Sequence, residues 1–287
     1  MSTAVTTTTI ITGTPTRTAG PTVDARSSFR GVMRGEWIKL LSLRSTWWSL
    51  GATVALMALV SLAAAMSLDA MTEDPAMSQA VAQMHGADVI SGEFQIGMLT
   101  IAVLGALLIT GEYSTGMVRS TFAAVPTRTP VLLAKAIALV VLTTAVTVVG
   151  VALSYLVTLP QLSEYGLVPA LDDAVTWRVV GGTVYFLVAS ALFSLGVGTL
   201  LRSTAGAVTV SLTVLLLLPG ILSFISLDWV ETIVSYLPLP ASAAFVTAAE
   251  TSVRGADLSA GAGLAVVAAY AVVPLVAAGV VLRRRDV

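Results

Sequence analysis

The stretch IALVVLTTAVTVVGVALSYLVTL, Ile137 to Leu159, decides the fold. It holds no Asp, Glu, Lys, Arg or His. At about 1.5 Å per residue, a helix of this length matches a hydrocarbon core of about 30 Å. Inside lipid the backbone must satisfy its own hydrogen bonds, so such a run is helical there. Five more runs of the same kind flank it: Trp47 to Leu68, Phe94 to Gly111, Val179 to Leu201, Ala207 to Leu227 and Gly261 to Leu282. The expected fold is all-α, a polytopic membrane protein of six spans. Ion-driven pumps place ionisable side chains in their spans as relays, and these six runs contain none. Uphill movement of any solute would draw its energy from another subunit.

Composition agrees with this reading. Of 287 residues, 56% are hydrophobic and 11% charged, whereas soluble domains average about 25% charged. There is no cysteine, which removes disulfide and thiolate chemistry. Residues 1–28 are rich in Thr, Ser, Pro and Gly, with no apolar core before a cleavage site; they read as a disordered tail and not as a signal peptide. Residues 29–287 form the membrane domain.

Six spans place both termini on one side. The termini and the even-numbered connections carry Arg17, Arg26, Arg30, Arg34, Lys39, Arg44, Arg119, Arg128, Lys135, Arg202, Arg283, Arg284 and Arg285; the odd-numbered ones carry only Arg178 and Arg254. The positive-inside rule makes the first side cytoplasmic. Arginine outnumbers lysine heavily, a bias that suggests a GC-rich bacterial genome, so the expected location is a bacterial plasma membrane.

From Phe29, an imperfect helical stripe runs through Val32, Met33, Trp37, Leu40 and Leu41, with Glu36 inside its apolar face. It is read as an interfacial helix lying before span one, with a cytoplasmic extension of span one as the alternative. His85, alone in an acidic outer loop, reads as a solvated residue and not a metal ligand. After span two, Ser114 or Thr115 can cap a helix and Pro126 can end one. Between them Val118, Thr121, Phe122 and Val125 make a short apolar stripe with Arg119 off it. Such a helix suits docking of a partner protein, or it caps the bundle. Ser190, Ser194 and Gly198 form a small-residue face for close helix packing. Pro219 marks a kink in span five. Asp228 to Ala260 reads as two short helices dipping into the outer leaflet, broken at Leu237-Pro238-Leu239-Pro240.

Several chemistries are missing. There is no GxxxxGK[ST] loop for ATP, no HExxH, no GxSxG, and no histidine placed to activate a serine. The chain is therefore not expected to be an enzyme or to bind a cofactor or metal. Its cytoplasmic charges are too scattered for nucleic acid.

Gly111-Glu112-Tyr113-Ser114-Thr115-Gly116-Met117-Val118-Arg119, followed by Pro126, Arg128 and Lys135, resembles the permease subunits of type-2 ATP-binding-cassette (ABC) exporters, in particular actinobacterial members. Glu36-Trp37 with Leu43-Arg44-Ser45-Thr46-Trp47-Trp48 is similar to their segment leading into span one. Tyr236-Leu237-Pro238-Leu239-Pro240-Ala241-Ser242-Ala243 is similar to their turn between outer re-entrant helices. With the topology, the resemblance covers residues 29–285. It implies a dimer, with a second permease copy alike or different, on two separate ATPase subunits that hold ATP and magnesium. It also implies that Glu112, Tyr113, Ser114, Thr115, Gly116, Met117 and Arg119, with Phe122 nearby, form a coupling helix seated in the ATPase. The helix of Phe29, Met33, Trp37, Leu40 and Leu41 would be the family's connecting helix. Spans one, two and five would flank the substrate path. The large polar outer domain of some relatives is absent. The expected function is export of a hydrophobic or amphipathic substrate. A passive channel, a secondary carrier, and a non-transporting sensor or immunity component are the alternatives.

Overall fold

In a computed structural model, residues 28–92, 94–124, 129–248 and 258–284 are described. Residues 1–27 of the expected tail, Val125, Pro126, Arg128, Arg254 and Arg285 lie outside these residues. The helices, in order, are α1 (Phe29–Ser42), α2 (Arg44–Glu73), α3 (Pro75–Ala82), α4 (Gly86–Ser91), α5 (Phe94–Ser114), α6 (Met117–Ala124) and α7 (Thr129–Glu164). There follow α8 (Ala174–Leu201), α9 (Thr204–Leu212), a π-helical segment (Thr213–Leu217), α10 (Leu218–Leu222), α11 (Asp228–Ser235), α12 (Pro238–Val246) and α13 (Ala260–Arg284). No strand occurs among the described residues. Six helical stretches are long and apolar enough to cross a membrane: α2, α4 with α5, α7, α8, α9 through α10, and α13.

The helices overrun the apolar runs, and this corrects the picture of charge-free spans. Helix α5 carries Glu112 in its last turn, and α7 starts early enough to include Lys135. Span five is shorter than expected. Its helix ends at Leu222, and residues 223–227 form a turn and extended chain. Hydropathy alone carried the run on to Leu227. The chain leaves the helix just after Pro219-Gly220, where Ser223 Oγ donates to the Gly220 carbonyl.

Helix α8 is the hub, because small residues let its backbone approach its neighbours. A Cβ on Gly105 of α5 would lie 2.5 Å from the Ala191 carbonyl oxygen, and one on Gly196 would lie 2.8 Å from the α13 backbone at Pro274 and Leu275. Gly182 stands equally close to Phe245 of α12. Phe94 and Phe186 pack edge to face, with ring centroids 5.3 Å apart, a favoured aromatic geometry. Of the small-residue face, Ser190 and Ser194 are buried, and Gly198 sits against Ile109 and Thr110 of α5.

Where the sequence analysis places a kink, the π segment Thr213–Leu217 immediately precedes Pro219. Proline lacks an N–H and its ring crowds the carbonyl four residues back. A π turn shifts the bonding register by one residue at that point. Helices α11 and α12 meet at 67°. Along α11 and the break after it, Val230, Val234 and Leu237 are buried, while Trp229 and Ile233 are exposed.

His85 is not simply solvated. Its Nδ1 accepts from the Ala87 N–H at the start of α4, and Nε2 lies 3.0 Å from Asp173 Oδ2. Since Nδ1 accepts, Nε2 carries the proton and donates. Asp173 caps α8 by accepting from the Val175 and Thr176 N–H groups. The bond from the Val175 N–H, joined by those from Thr176 and His85, outweighs the opposing effect of burial and holds the Asp173 carboxyl below its ordinary value. The imidazole thus joins two helix starts. No group of three or more potential metal ligands exists among the described residues.

Candidate functional site

Helix α1 is a separate element. Leu43 breaks it from α2 with extended backbone, φ −80° and ψ 120°, so a continuous extension of span one does not form. Trp47 Nε1 donates across the break to the Leu41 carbonyl. One face of α1 is buried at Leu40 and Glu36, while Met33, Trp37 and Leu41 are partly covered and Phe29 is exposed.

The misplaced Glu36 of the stripe proves to be the centre of the site. Its Oε2 lies 2.5 Å from Lys135 Nζ, and its Oε1 lies 2.9 Å from Lys39 Nζ. Glu112 Oε1 accepts from the same two ammonium groups, 2.7 Å from Lys135 and 2.9 Å from Lys39. Lys39 gives its third proton to Thr121 Oγ1 on α6, at 3.2 Å. The only two lysines in the chain therefore close a neutral quartet with two glutamates. It fastens α1, the end of α5, α6 and the start of α7 together.

The quartet is shielded from water: Lys135 is 1% exposed, Glu36 3% and Glu112 7%. Unpaired, any of these charges would be costly at such burial. At the half-buried Lys39, burial works to lower the pKa. Bonds to Glu36 and Glu112 outweigh it and leave the ammonium above its ordinary value. A raised lysine pKa stabilises the fold fully below the ordinary value and loses that contribution only as pH climbs through the raised one. The Lys39 pairs therefore persist through neutral pH and open only in strong alkali.

The turn that follows Glu112 is built for display. Gly116 takes φ +73°, a left-handed conformation that glycine adopts freely and that ends helices. Ser114 and Thr115 do not cap α6, as the sequence suggested. Both hydroxyls donate back to the Gly111 carbonyl and finish α5. Ser114, Thr115, Gly116 and Met117 are exposed, Tyr113 is partly covered, and Val118 turns inward. Arg202, at the C-terminal cap of α8, holds its guanidinium 5.5 Å above the Tyr113 ring. Arg119 and Phe122 lie in α6; their side chains are outside the description. Of the residues expected to meet a partner, Glu112 is thus directed into the bundle and the next five lie at or near its surface.

Farther along the bundle, an apolar cleft of about 430 Å³ opens between α2, α5 and α9. Trp48, Ala52, Leu99, Val103 and Leu212 line it, with Ser49 and Thr100 as its polar groups. Thr100 Oγ1 lies 2.6 Å from the buried Thr53 hydroxyl.

Six apolar helical stretches define a multi-pass membrane protein. The family model described as ABC-2 family transporter protein matches residues 32–287, and the chain belongs to that family, the membrane-embedded permeases of ABC transporters. No curated protein matches the chain. The matched region begins inside α1, so it takes in all four members of the quartet.

Sequence reasoning missed the quartet, although it carried one signal. A glutamate on the apolar face of α1 is an expensive placement unless a cation answers it.

Proposed function

We propose that the chain is the membrane subunit of an ATP-driven exporter in a bacterial plasma membrane, working as a dimer on separate ATPase subunits. The carrying observation is the exposed turn Ser114 to Met117, held rigidly by the buried quartet at its root. A partner pushing on this turn would move α1, α5, α6 and α7 as one body, because separating them would strand buried charges. In this reading Glu112 anchors the coupling segment, and Tyr113, Ser114, Thr115, Gly116 and Met117 meet the partner, with Arg119 and Phe122 alongside. Both termini are cytoplasmic, residues 29–287 are the permease domain, and residues 1–28 are a tail. The helix from Phe29 lies at the inner interface, and α11 with α12 enters the outer leaflet. ATP and magnesium belong to the partner chain. The cleft between α2, α5 and α9, apolar but for Ser49 and Thr100, favours a hydrophobic or amphipathic substrate.

The test is a tagged purification into nanodiscs, with mass spectrometry of accompanying chains and an ATPase assay. A stoichiometric partner carrying a phosphate-binding loop is expected. Met117→Asp, a change at an exposed side chain, should release that partner without lowering membrane insertion. Recovery of the chain alone, with no ATPase, would overturn the proposal.

A further inference from the structure

At the end of the bundle that carries the quartet, the described residues include arginines that no described carboxylate answers. Among the described residues there, Glu36 and Glu112 are the carboxylates, and both are held by Lys39 and Lys135. Arg30, Arg34, Arg44, Arg283 and Arg284 are exposed, and no carboxylate among the described residues pairs with them.

An apolar groove of about 500 Å³ lies between the first turns of α7 and the last half of α13, the helix that ends in Arg283 and Arg284. Its wall includes Leu133 and Ala136 of α7 and Val272, Val276 and Gly279 of α13, and Phe29 of α1 closes one end. Leu133, Val272 and Val276 are each more than half exposed, at 55%, 53% and 60%. Gly279 forms an open floor, where an added Cβ would meet only Thr129, at 3.9 Å.

Position gives this groove a direction. Val272, Val276, Gly279 and Arg283 fall at i, i+4, i+7 and i+11, so one stripe of α13 runs from apolar wall to cation. Arg30 is the next residue of α1 after Phe29, which closes the groove. From Val272 to Gly279 the helix rises about 10 Å, which fits within one leaflet of a core about 30 Å thick.

We propose that the groove is a binding site for an anionic phospholipid of the same leaflet. One acyl chain lies along the α7–α13 trough, and its phosphate rests on Arg30 and Arg283, with Arg284 adding to the field. Basic residues at a membrane surface attract anionic headgroups, and no carboxylate among the described residues pairs with these arginines. A second copy fits less well. A two-fold contact would place the same patch on both sides and set arginines against arginines.

Because the chain has no cysteine, one reporter thiol can be placed cleanly. Val276→Cys, and separately Leu133→Cys, would carry a bimane label in the full chain reconstituted into phosphatidylcholine vesicles. Brominated phosphatidylglycerol should reach half-maximal quenching at a several-fold lower mole fraction than brominated phosphatidylcholine. Arg30→Gln with Arg283→Gln should bring the two curves together. Gly279→Leu, which fills the trough, should weaken quenching by both lipids. Coincident curves in the unsubstituted groove would overturn the site. So would a preference that survives the arginine changes, or quenching indifferent to Gly279→Leu. A label that neither lipid reaches would show that protein covers the groove instead.

Discussion

Lys135 bonds to two glutamates while nearly excluded from water. Lys135→Met would leave Glu36 and Glu112 to share Lys39, a net buried negative charge, and breaking a buried pair costs roughly 3–5 kcal/mol. Thermal unfolding in detergent, followed by size-exclusion chromatography, should show a large loss of stability. Adding Glu36→Gln removes the stranded charge while keeping Glu112 on Lys39, so the double variant should be more stable than Lys135→Met alone. If the two losses simply add, these residues are not coupled and the quartet is not a unit. Little of this was legible in the sequence. Glu36 stood out on its apolar stripe, but Glu112 and Lys135 fell just outside the apolar runs, and the resemblance gave Glu112 a contact with a partner and not with a buried lysine. Hydropathy locates where a span is cheap to insert; it does not say which flanking charges a neighbouring helix buries.

Among the helices, the spans were legible and their contacts were not. Period and length identify a membrane helix, but the place where α5 touches α8 depends on a backbone approach. Gly105→Ala would put a Cβ 2.5 Å from the Ala191 carbonyl oxygen, forcing the helices apart at a cost of about 1–3 kcal/mol. Gly181, on an exposed face of α8, has nothing within 4 Å of its would-be Cβ. Gly181→Ala should stabilise by about 0.5–1 kcal/mol, since glycine is a poor helix residue. The opposite signs can be read from unfolding temperatures in one detergent, and a neutral Gly105→Ala would contradict the packing. The α8 cap gives a pH prediction. Folding lowers the Asp173 pKa, chiefly through the Val175 backbone bond. Its contribution is therefore present above the ordinary carboxylate range and lost as pH falls through the lowered value. Hydrogen exchange at Val175 and Thr176 should be slow from neutral pH down to about 4 and gain relative speed only below that. In Asp173→Ala it should be fast throughout. A wild-type amide that opens at mildly acidic pH would show that the cap is not what protects it.

For the molecule as a whole, orientation follows from which end of the bundle keeps its positive charge. Six crossings put α1, the α5–α6 turn, the start of α7 and the end of α13 at one end, and α4, α11 and α12 at the other. The quartet contributes nothing to the difference, since its two lysines and two glutamates cancel. The orienting charge is therefore arginine: Arg30, Arg34, Arg44, Arg119, Arg202, Arg283 and Arg284 at the first end, against Arg178 at the second, among the described residues. Positive residues near span ends resist translocation, so the proposed function expects the first end, with the turn at Met117, on the cytoplasmic side. Exposed side chains mark both ends, Met117 at 44% and Leu171, before α8, at 62%. In the cysteine-free chain, Met117→Cys should react with an impermeant maleimide in inverted vesicles and not in intact cells. Leu171→Cys should do the reverse. Exchange of the two patterns would turn the bundle over, and the coupling turn would then face away from any cytoplasmic ATPase. Reaction of both cysteines from one side would mean an even number of crossings between them, and α7 would not span.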